Sequence, residues 1–211
     1  MGNCKSSNRH AEHFHNLINI DPIDETVCIE YINRHNDFYN IQMGIFKTNA
    51  LTRCIICNAS DNLIMQLIER GTDINISDNF GYSPLSNAVL YGRYNIVVHL
   101  IAAGAKINQD RCLLSDALRL NRLKIAKYLI DKGVDFDMLC YNMFFMSYEE
   151  FYKSYQQQYT IYPEVVDYIK SCYKQSIHNT INDKSADNVM AGCFATTYVP
   201  QLVDVICDFI I

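Results

Sequence analysis

The chain has 211 residues, 49% of them hydrophobic, which is enough to bury a core and favours an ordered structure over most of its length. Its formal net charge of -5 and its pI of about 5.6 argue against a nucleic-acid surface, because neutralising phosphates needs clustered Lys and Arg. Nine cysteines at irregular spacings, no secretory segment at the start and no apolar run of membrane-spanning length favour a cytoplasmic protein with reduced thiols.

The first residues, "MGNCKSS", match the M-G-x-x-x-[ST] pattern for N-myristoylation, with Gly2 exposed once the initiator methionine is removed. Cys4 is a candidate for a palmitoyl chain, and Lys5 and Arg9 favour an anionic membrane surface. One myristoyl chain binds a membrane only marginally, so a second chain would make the anchor stable. We predict a flexible segment over residues 1–15 with lipidation at Gly2 and Cys4. The alternative is an ordinary flexible start with a surface thiol.

Two groups of residues have the side chains of metal ligands. "HAEHFH" places three histidines close together, and Cys54 and Cys57 are three positions apart. No second ligand pair follows at zinc-finger distance, so we interpret the cysteines as core and the histidines as a solvated helix start. We therefore expect no metal and no cofactor. The sequence also lacks a glycine-rich phosphate loop and a nucleophile elbow, which predicts a protein that is not an enzyme.

Residues 81–92, "GYSPLSNAVLYG", predict a tight turn followed by a short helix. Ser83 is placed to cap the helix, Pro84 suits its first position, and apolar residues then share one face. Gly92 is placed to end the helix, because glycine adopts the left-handed conformation without steric cost. A helix of two turns is not stable alone in water, so another element must pack beside it.

The next helix, "RYNIVVHLIAAGAKIN", ends at Gly104 and has counterparts before and after it. "LIMQLIERGTDIN" and "KIAKYLIDKGVDFD" place equivalent glycines at Gly71 and Gly133, which lie 33 residues before and 29 residues after Gly104. A helix pair that recurs with a period near 33 is typical of a solenoid.

The stretch "GYSPLSNAVLYGRYNIVVHLIAAGAKIN" resembles an ankyrin repeat, with its G-x-T-P-L-H-x-A-A-x-x-G opening and its closing G-A-D-x-N. The resemblance implies an all-α solenoid of three to four helix pairs with helical caps. We assign three repeats, to residues 48–78, 79–110 and 111–137. Ser86 stands where the family usually has histidine, which would weaken hydrogen bonds between neighbouring turns. The third repeat lacks the turn motif.

The flanking segments are expected to cover the ends of the stack. Residues 16–47 contain "VCIEYINRHNDFYN" and resemble a degenerate capping repeat. Residues 138–174 are rich in Tyr and Phe, and we predict a helical cap there, with a helix starting at Pro163. An aromatic binding platform is the alternative for this block. Residues 175–188 are polar, as expected of a linker.

Residues 189–211 end in "VPQLVDVICDFII", which is similar to the opening helix of an F-box with one residue fewer in its spacer. Ankyrin proteins of poxviruses and other large DNA viruses often carry such a segment, which recruits a ubiquitin ligase. An F-box needs about three helices, so we favour a capping helix and keep a ligase adaptor as the alternative function.

The ankyrin resemblance implies a monomeric scaffold that binds another protein, and not nucleic acid, through turn tips and first helices on its concave face. Richness in Ile, Asn and Tyr without Trp resembles viral ankyrin proteins, which predicts a host protein as partner in the host cytoplasm, with a membrane surface as a further partner if the chain is acylated. Aromatic and Arg side chains are expected to act as anchors. The candidate partner-binding residues are Asp78, Asn79, Phe80, Tyr82, Ser86, Asn87, Leu90, Tyr91, Arg111, Arg119 and Arg122.

Overall fold

The computed structural model describes residues 2–108, 113–134 and 163–182. The chain divides into two compact units, Met1–Phe144 and Phe145–Ile211. In the described residues the named elements are all helices, and none of these helices is both long and apolar enough to cross a membrane. The helices are α1 (Gly2–Ile18), α2 (Glu25–Arg34), α3 (Ala50–Ile56), α4 (Asp61–Glu69), α5 (Pro84–Leu90), α6 (Tyr94–Ala102), α7 (Leu113–Arg119), α8 (Leu123–Asp131) and, in the second unit, α9 (Pro163–Asn182).

The helices of the first unit pack as antiparallel pairs, and each pair packs on the next. The last three pairs, beginning with α3, each join a first helix of seven residues to a second helix of nine. First helices contact first helices along the series α1, α3, α5 and α7, and second helices do the same along α2, α4, α6 and α8. The core therefore runs through the stack as a continuous layer of Leu, Ile, Val and Ala side chains.

Local side-chain caps fix where several helices begin. The Ser83 hydroxyl accepts a hydrogen bond from the Ser86 amide at 3.2 Å, and Pro84 occupies the first turn of α5. Asn49 caps α3 in the same way in the preceding repeat, where its Oδ1 accepts from the Thr52 amide at 2.9 Å. The predicted start of α5 is confirmed, because capping depends on residues adjacent in the sequence.

Each helix of the middle pair ends on a glycine in the left-handed conformation. Gly92 follows α5 with φ of 68°, and Gly104 follows α6 with φ of 95°, as predicted. In the neighbouring repeats Asn58 and Asn121 take the place of Gly92, with φ of 57° and 55°. Asparagine tolerates this conformation better than other residues with a Cβ, so the same helix ending is retained.

The N-terminal segment is a helix, where the sequence analysis predicted a flexible stretch over residues 1–15. Ala11, Phe14 and Ile18 are buried along one face of α1, which packs on α2 and α3. These apolar residues recur at helical spacing among polar ones, and their burial stabilises the helix. The leading helix pair therefore begins with α1 instead of starting at residue 16.

Histidine side chains hold α1 against the end of α2. His10 Nδ1 lies 2.8 Å from Asp37 Oδ1, and its ring centroid is 4.0 Å from that of His35. The hydrogen bond from His10 holds the pKa of Asp37 below its ordinary value. Burial, with the nearby His10, lowers the pKa of His35. His10 and His15 are thus partly buried, whereas His13 is exposed on α1, as the sequence suggested.

Helix α9 starts at Pro163, as predicted, and continues to Asn182. The prediction of a linker from residue 175 is therefore wrong for residues 175–182. No Gly or Pro follows Pro163 within this segment, so nothing in the backbone stops the helix, although most side chains of residues 175–182 are polar. The predicted aromatic cap before Pro163 and the F-box-like segment at 189–211 lie outside the described residues.

Replacing Gly104 by Ala should lower the free energy of unfolding by about 1 kcal/mol, because a Cβ disfavours its positive φ. A Cβ there would meet nothing within 4 Å, so steric packing contributes no loss. Urea denaturation measures the effect. Gly104→Asn is the matched control and should cost less, and equal losses for Ala and Asn would contradict this explanation.

The first unit should lose stability as the pH falls from about 7.5 to about 5.5. The pKa of His35 is lowered in the fold, so in this range the unfolded chain binds more protons than the native state. His35→Gln should reduce the difference between the unfolding free energies at the two pH values, measured in urea. Substitution of the exposed His99 by Gln is the control and should leave the wild-type difference. An unchanged difference in His35→Gln would rule out this residue as the cause.

Candidate functional site

The segment between α2 and α3 forms a projecting turn, the first finger, at residues 41–49. Met43 and Thr48 form an antiparallel bridge, with backbone N–H···O distances of 2.9 and 3.1 Å. The turn between them uses two residues of positive φ, Gly44 and Lys47. The bridge holds the intervening side chains of Ile45 and Phe46 away from the helices, where both are exposed.

The second finger, residues 76–83, is held by Asp78. Its carboxylate Oδ1 accepts hydrogen bonds from the amides of Phe80 and Tyr82 at 2.9 and 3.0 Å. The Asp78 amide donates to the Tyr82 carbonyl at 2.9 Å, which closes the turn. This arrangement directs Phe80 and Tyr82 outward from a backbone that is fixed by its own hydrogen bonds.

The two fingers contact each other at their tips. The Asn79 amide donates to the Phe46 carbonyl at 3.1 Å, and its side chain donates to the Ile45 carbonyl at 3.0 Å. The rings of Phe46 and Phe80 lie 5.8 Å apart. Four apolar or aromatic side chains on the two fingers are therefore exposed: Ile45 at 80%, Phe46 at 41%, Phe80 at 66% and Tyr82 at 37% of their surface. We call Ile45, Phe46, Phe80 and Tyr82 the fingertip cluster.

Half of this cluster is absent from the sequence-based candidates. Ile45 and Phe46 were missed because residues 41–49, at the end of the predicted capping repeat, lack the ankyrin turn motif that marked the second finger. The available signal was a Gly followed by two apolar residues and a Lys, which ends two positions before the cap residue Asn49 and the helix it starts.

Several predicted partner-binding residues serve the fold instead. Ser86 and Asn87 are 3% and 5% exposed, so the prediction that they contact a partner is wrong. Helix α5 packs against both α3 and α7, and the Asn87 side chain donates a hydrogen bond to the Ser83 carbonyl at 3.1 Å. Asp78 and Asn79 use side-chain atoms to build the fingers, so their contribution to a binding surface is to position Phe80 and Tyr82.

The remaining candidates lie apart from the fingers. Tyr91 is exposed at the far end of α5, about 10 Å along the helix from the second finger. Leu90 beside it is partly buried. Arg122 is exposed, and its guanidinium lies close to Gly92. A Cβ added at Gly92 would be 2.6 Å from the guanidinium carbon of Arg122. Arg119 is exposed and pairs with Asp116 at 2.8 Å, and Arg111 lies outside the described residues.

The cysteines and histidines do not assemble a metal centre in the described part of the chain, where no group of three or more His, Cys, Asp or Glu could hold an ion. Cys54 is fully buried in α3, and burial raises the pKa of its thiol, as expected of a core residue. Cys57 is partly exposed and caps the same helix. The exposure of Gly2 and Cys4 is not described by the structure, so lipidation there stays a prediction.

Comparison with known proteins agrees with this architecture. A family model described as ankyrin repeats (3 copies) matches residues 8–111 and 51–139. An ankyrin repeat protein of Acanthamoeba polyphaga mimivirus is 31% identical over 97 residues, which are 46% of this chain and 16% of the relative. One of fowlpox virus is 27% identical over 128 residues, 55% of this chain and 31% of the relative. Human SMC5-SMC6 complex localization factor protein 1 is 32% identical over 102 residues, 44% of this chain and 10% of the relative.

The chain spans less than a third of the length of each of these relatives. The family model nevertheless covers more than half of the chain, over the residues that form the stacked helix pairs and their fingers. The predicted all-α ankyrin solenoid is thereby confirmed, and the chain belongs to the ankyrin-repeat family.

Proposed function

We propose that this protein is a non-enzymatic scaffold that binds another protein through its fingertip cluster. The observation that carries the proposal is the exposure of four adjacent large apolar or aromatic side chains on two hydrogen-bonded fingers. Ankyrin repeats are protein–protein interaction modules, and a contiguous exposed apolar patch typically marks an interaction site.

The geometry of the fingers suits this role. Binding costs less when the contacting side chains are already positioned, and here both turns are closed by internal hydrogen bonds. Phe80 is the most exposed ring of the cluster and is supported on one side by Phe46. Aromatic residues so placed contribute most of the binding energy in many interfaces.

The partner that we propose is a protein of a host cell. Two of the relatives belong to viruses, mimivirus and fowlpox virus, and the composition of the chain resembles viral ankyrin proteins. A viral protein that presents an apolar surface of this kind in the host cytoplasm would bind and block, or recruit, a host factor.

A chain carrying both Phe46→Ser and Phe80→Ser should lose its partner, with affinity reduced by at least about tenfold, because two central aromatic contacts are removed. The measurement is recovery of cross-linked partners from host-cell lysate by the tagged full chain, followed by titration of the purified partner. Both rings are exposed, so the thermal midpoint of unfolding should change little.

The matched control is Ile20→Ser, which removes an exposed apolar residue from the α1–α2 turn, away from the fingers. It should leave partner recovery unchanged. If the double variant retained every partner of the wild type at the same affinity, the fingertip cluster would not be the binding surface.

A further inference from the structure

An open groove of about 510 Å³ lies beside the fingertip cluster, between α1 and the first finger. One wall is a face of α1 that carries Lys5 and Arg9, one helical turn apart. The other wall is the first finger, which contributes Ile41, Met43 and Lys47. The groove therefore combines an apolar strip with cationic side chains on both sides.

The charge of the groove is opposite to that of the chain. Lys5, Arg9 and Lys47 face one carboxylate, that of Glu12, although the whole chain carries a formal charge of -5. None of the three cations pairs with a carboxylate within residues 2–108, 113–134 and 163–182. Their charges are thus available to a ligand, and concentration of one sign of charge in a concave site attracts the opposite sign.

The backbone at Lys47 points to a binding role for this side chain. Its φ of 54° is in the left-handed region, which Gly or Asn adopts with less strain. The bridge between Met43 and Thr48 and a hydrogen bond of 2.7 Å from Gln42 Nε2 to the Lys47 carbonyl hold this conformation. A strained residue that its surroundings keep in place is frequently functional. Lys47 directly follows Phe46 in the first finger and so places a cation next to the fingertip cluster.

We propose that the groove binds an acidic, extended segment of the partner protein, whose apolar residues continue onto the fingertip cluster. This inference rests on the proposed scaffold function and names the chemistry of its partner. A concave site that combines cations with the apolar side chains of Ile41 and Met43 fits a peptide better than the flat surface of a membrane. The volume is within the usual range of ligand sites, about 300–1,000 Å³, and accommodates a few extended residues.

The test uses the full chain and an array of peptides of about ten residues. Each peptide contains Asp or Glu together with Leu or Phe and is paired with a counterpart in which Asn or Gln replaces the acids. We expect the acidic members to bind and their counterparts to bind at least about tenfold more weakly, with affinities that fall as salt is added. Fluorescence anisotropy gives the dissociation constants.

The decisive variant combines Lys5→Gln, Arg9→Gln and Lys47→Asn, where Asn suits the positive φ. It should weaken binding of the acidic peptides by about tenfold. The control combines Arg34→Gln, Lys106→Gln and Lys132→Gln, three exposed positions outside the groove with the same change in net charge, and should stay within about twofold.

Four outcomes would overturn the inference. An array without acidic binders would do so, as would equal weakening by the two triple variants. Peptides that bind without acidic preference, and lose affinity only with Phe46→Ser and Phe80→Ser, would contradict the groove but leave the scaffold function intact. If phosphatidylserine vesicles bind through the groove cations while acidic peptides do not, the ligand of the groove is a membrane surface.

Discussion

The short length of the repeat helices is the constraint on which the rest of the structure depends. Helices of seven and nine residues are marginal in water, so their stability comes from burial against the adjacent pairs. Leu51 and Leu85 occupy equivalent places in successive first helices, as do Leu67 and Leu100 in second helices, and all four are 0–1% exposed. Each such side chain contributes about 2 kcal/mol on burial. The fingers are outside this packing, so their tip residues do not have to be of a type that packs in the core.

Polar contacts then fix how one pair sits on the next. The Arg93 guanidinium donates to the Ala59 carbonyl and to Asp61 Oδ1, both at 2.7 Å, and so spans the boundary between two repeats. These contacts satisfy a carbonyl that the turn leaves without a helical partner, and hydrogen bonding from Arg93 holds the pKa of Asp61 below its ordinary value. In the same turn, Ser60 hydrogen-bonds to Glu25 of the preceding pair. Apolar burial is not directional, so these contacts supply the register that the core alone would leave loose.

Features that depend on residues close together in the sequence could be predicted, whereas features that depend on packing between helices could not. Ser83 as a cap and Gly104 as a helix end were predicted because each depends on residues within one turn of chain. The burial of Ser86 and Asn87 depends on how closely neighbouring first helices approach, which no local pattern specifies. Helix α1 was missed because it has few apolar residues among many polar ones. Its stability depends on the burial of these few residues against α2 and α3, which the local sequence does not specify. Phe46 was missed for a different reason, since the segment before the first assigned repeat forms a finger without the family's turn motif.

The first finger links the fingertip cluster to the groove. Ile45 and Phe46 belong to the fingertip cluster, while Lys47, the next residue, belongs to the groove. The net charge of the chain does not decide what binds there, because at physiological salt charges are screened beyond about 8 Å and a ligand in the groove responds mainly to Lys5, Arg9 and Lys47. Each exposed charge adds only a small part of the affinity, about tenfold for the three together, and all three orient a ligand and speed its association, whereas buried aromatic contacts slow its release. A partner segment that carries both acidic and apolar residues would therefore be aligned by the groove and retained by the fingertips, and a segment with only one of these features would bind weakly.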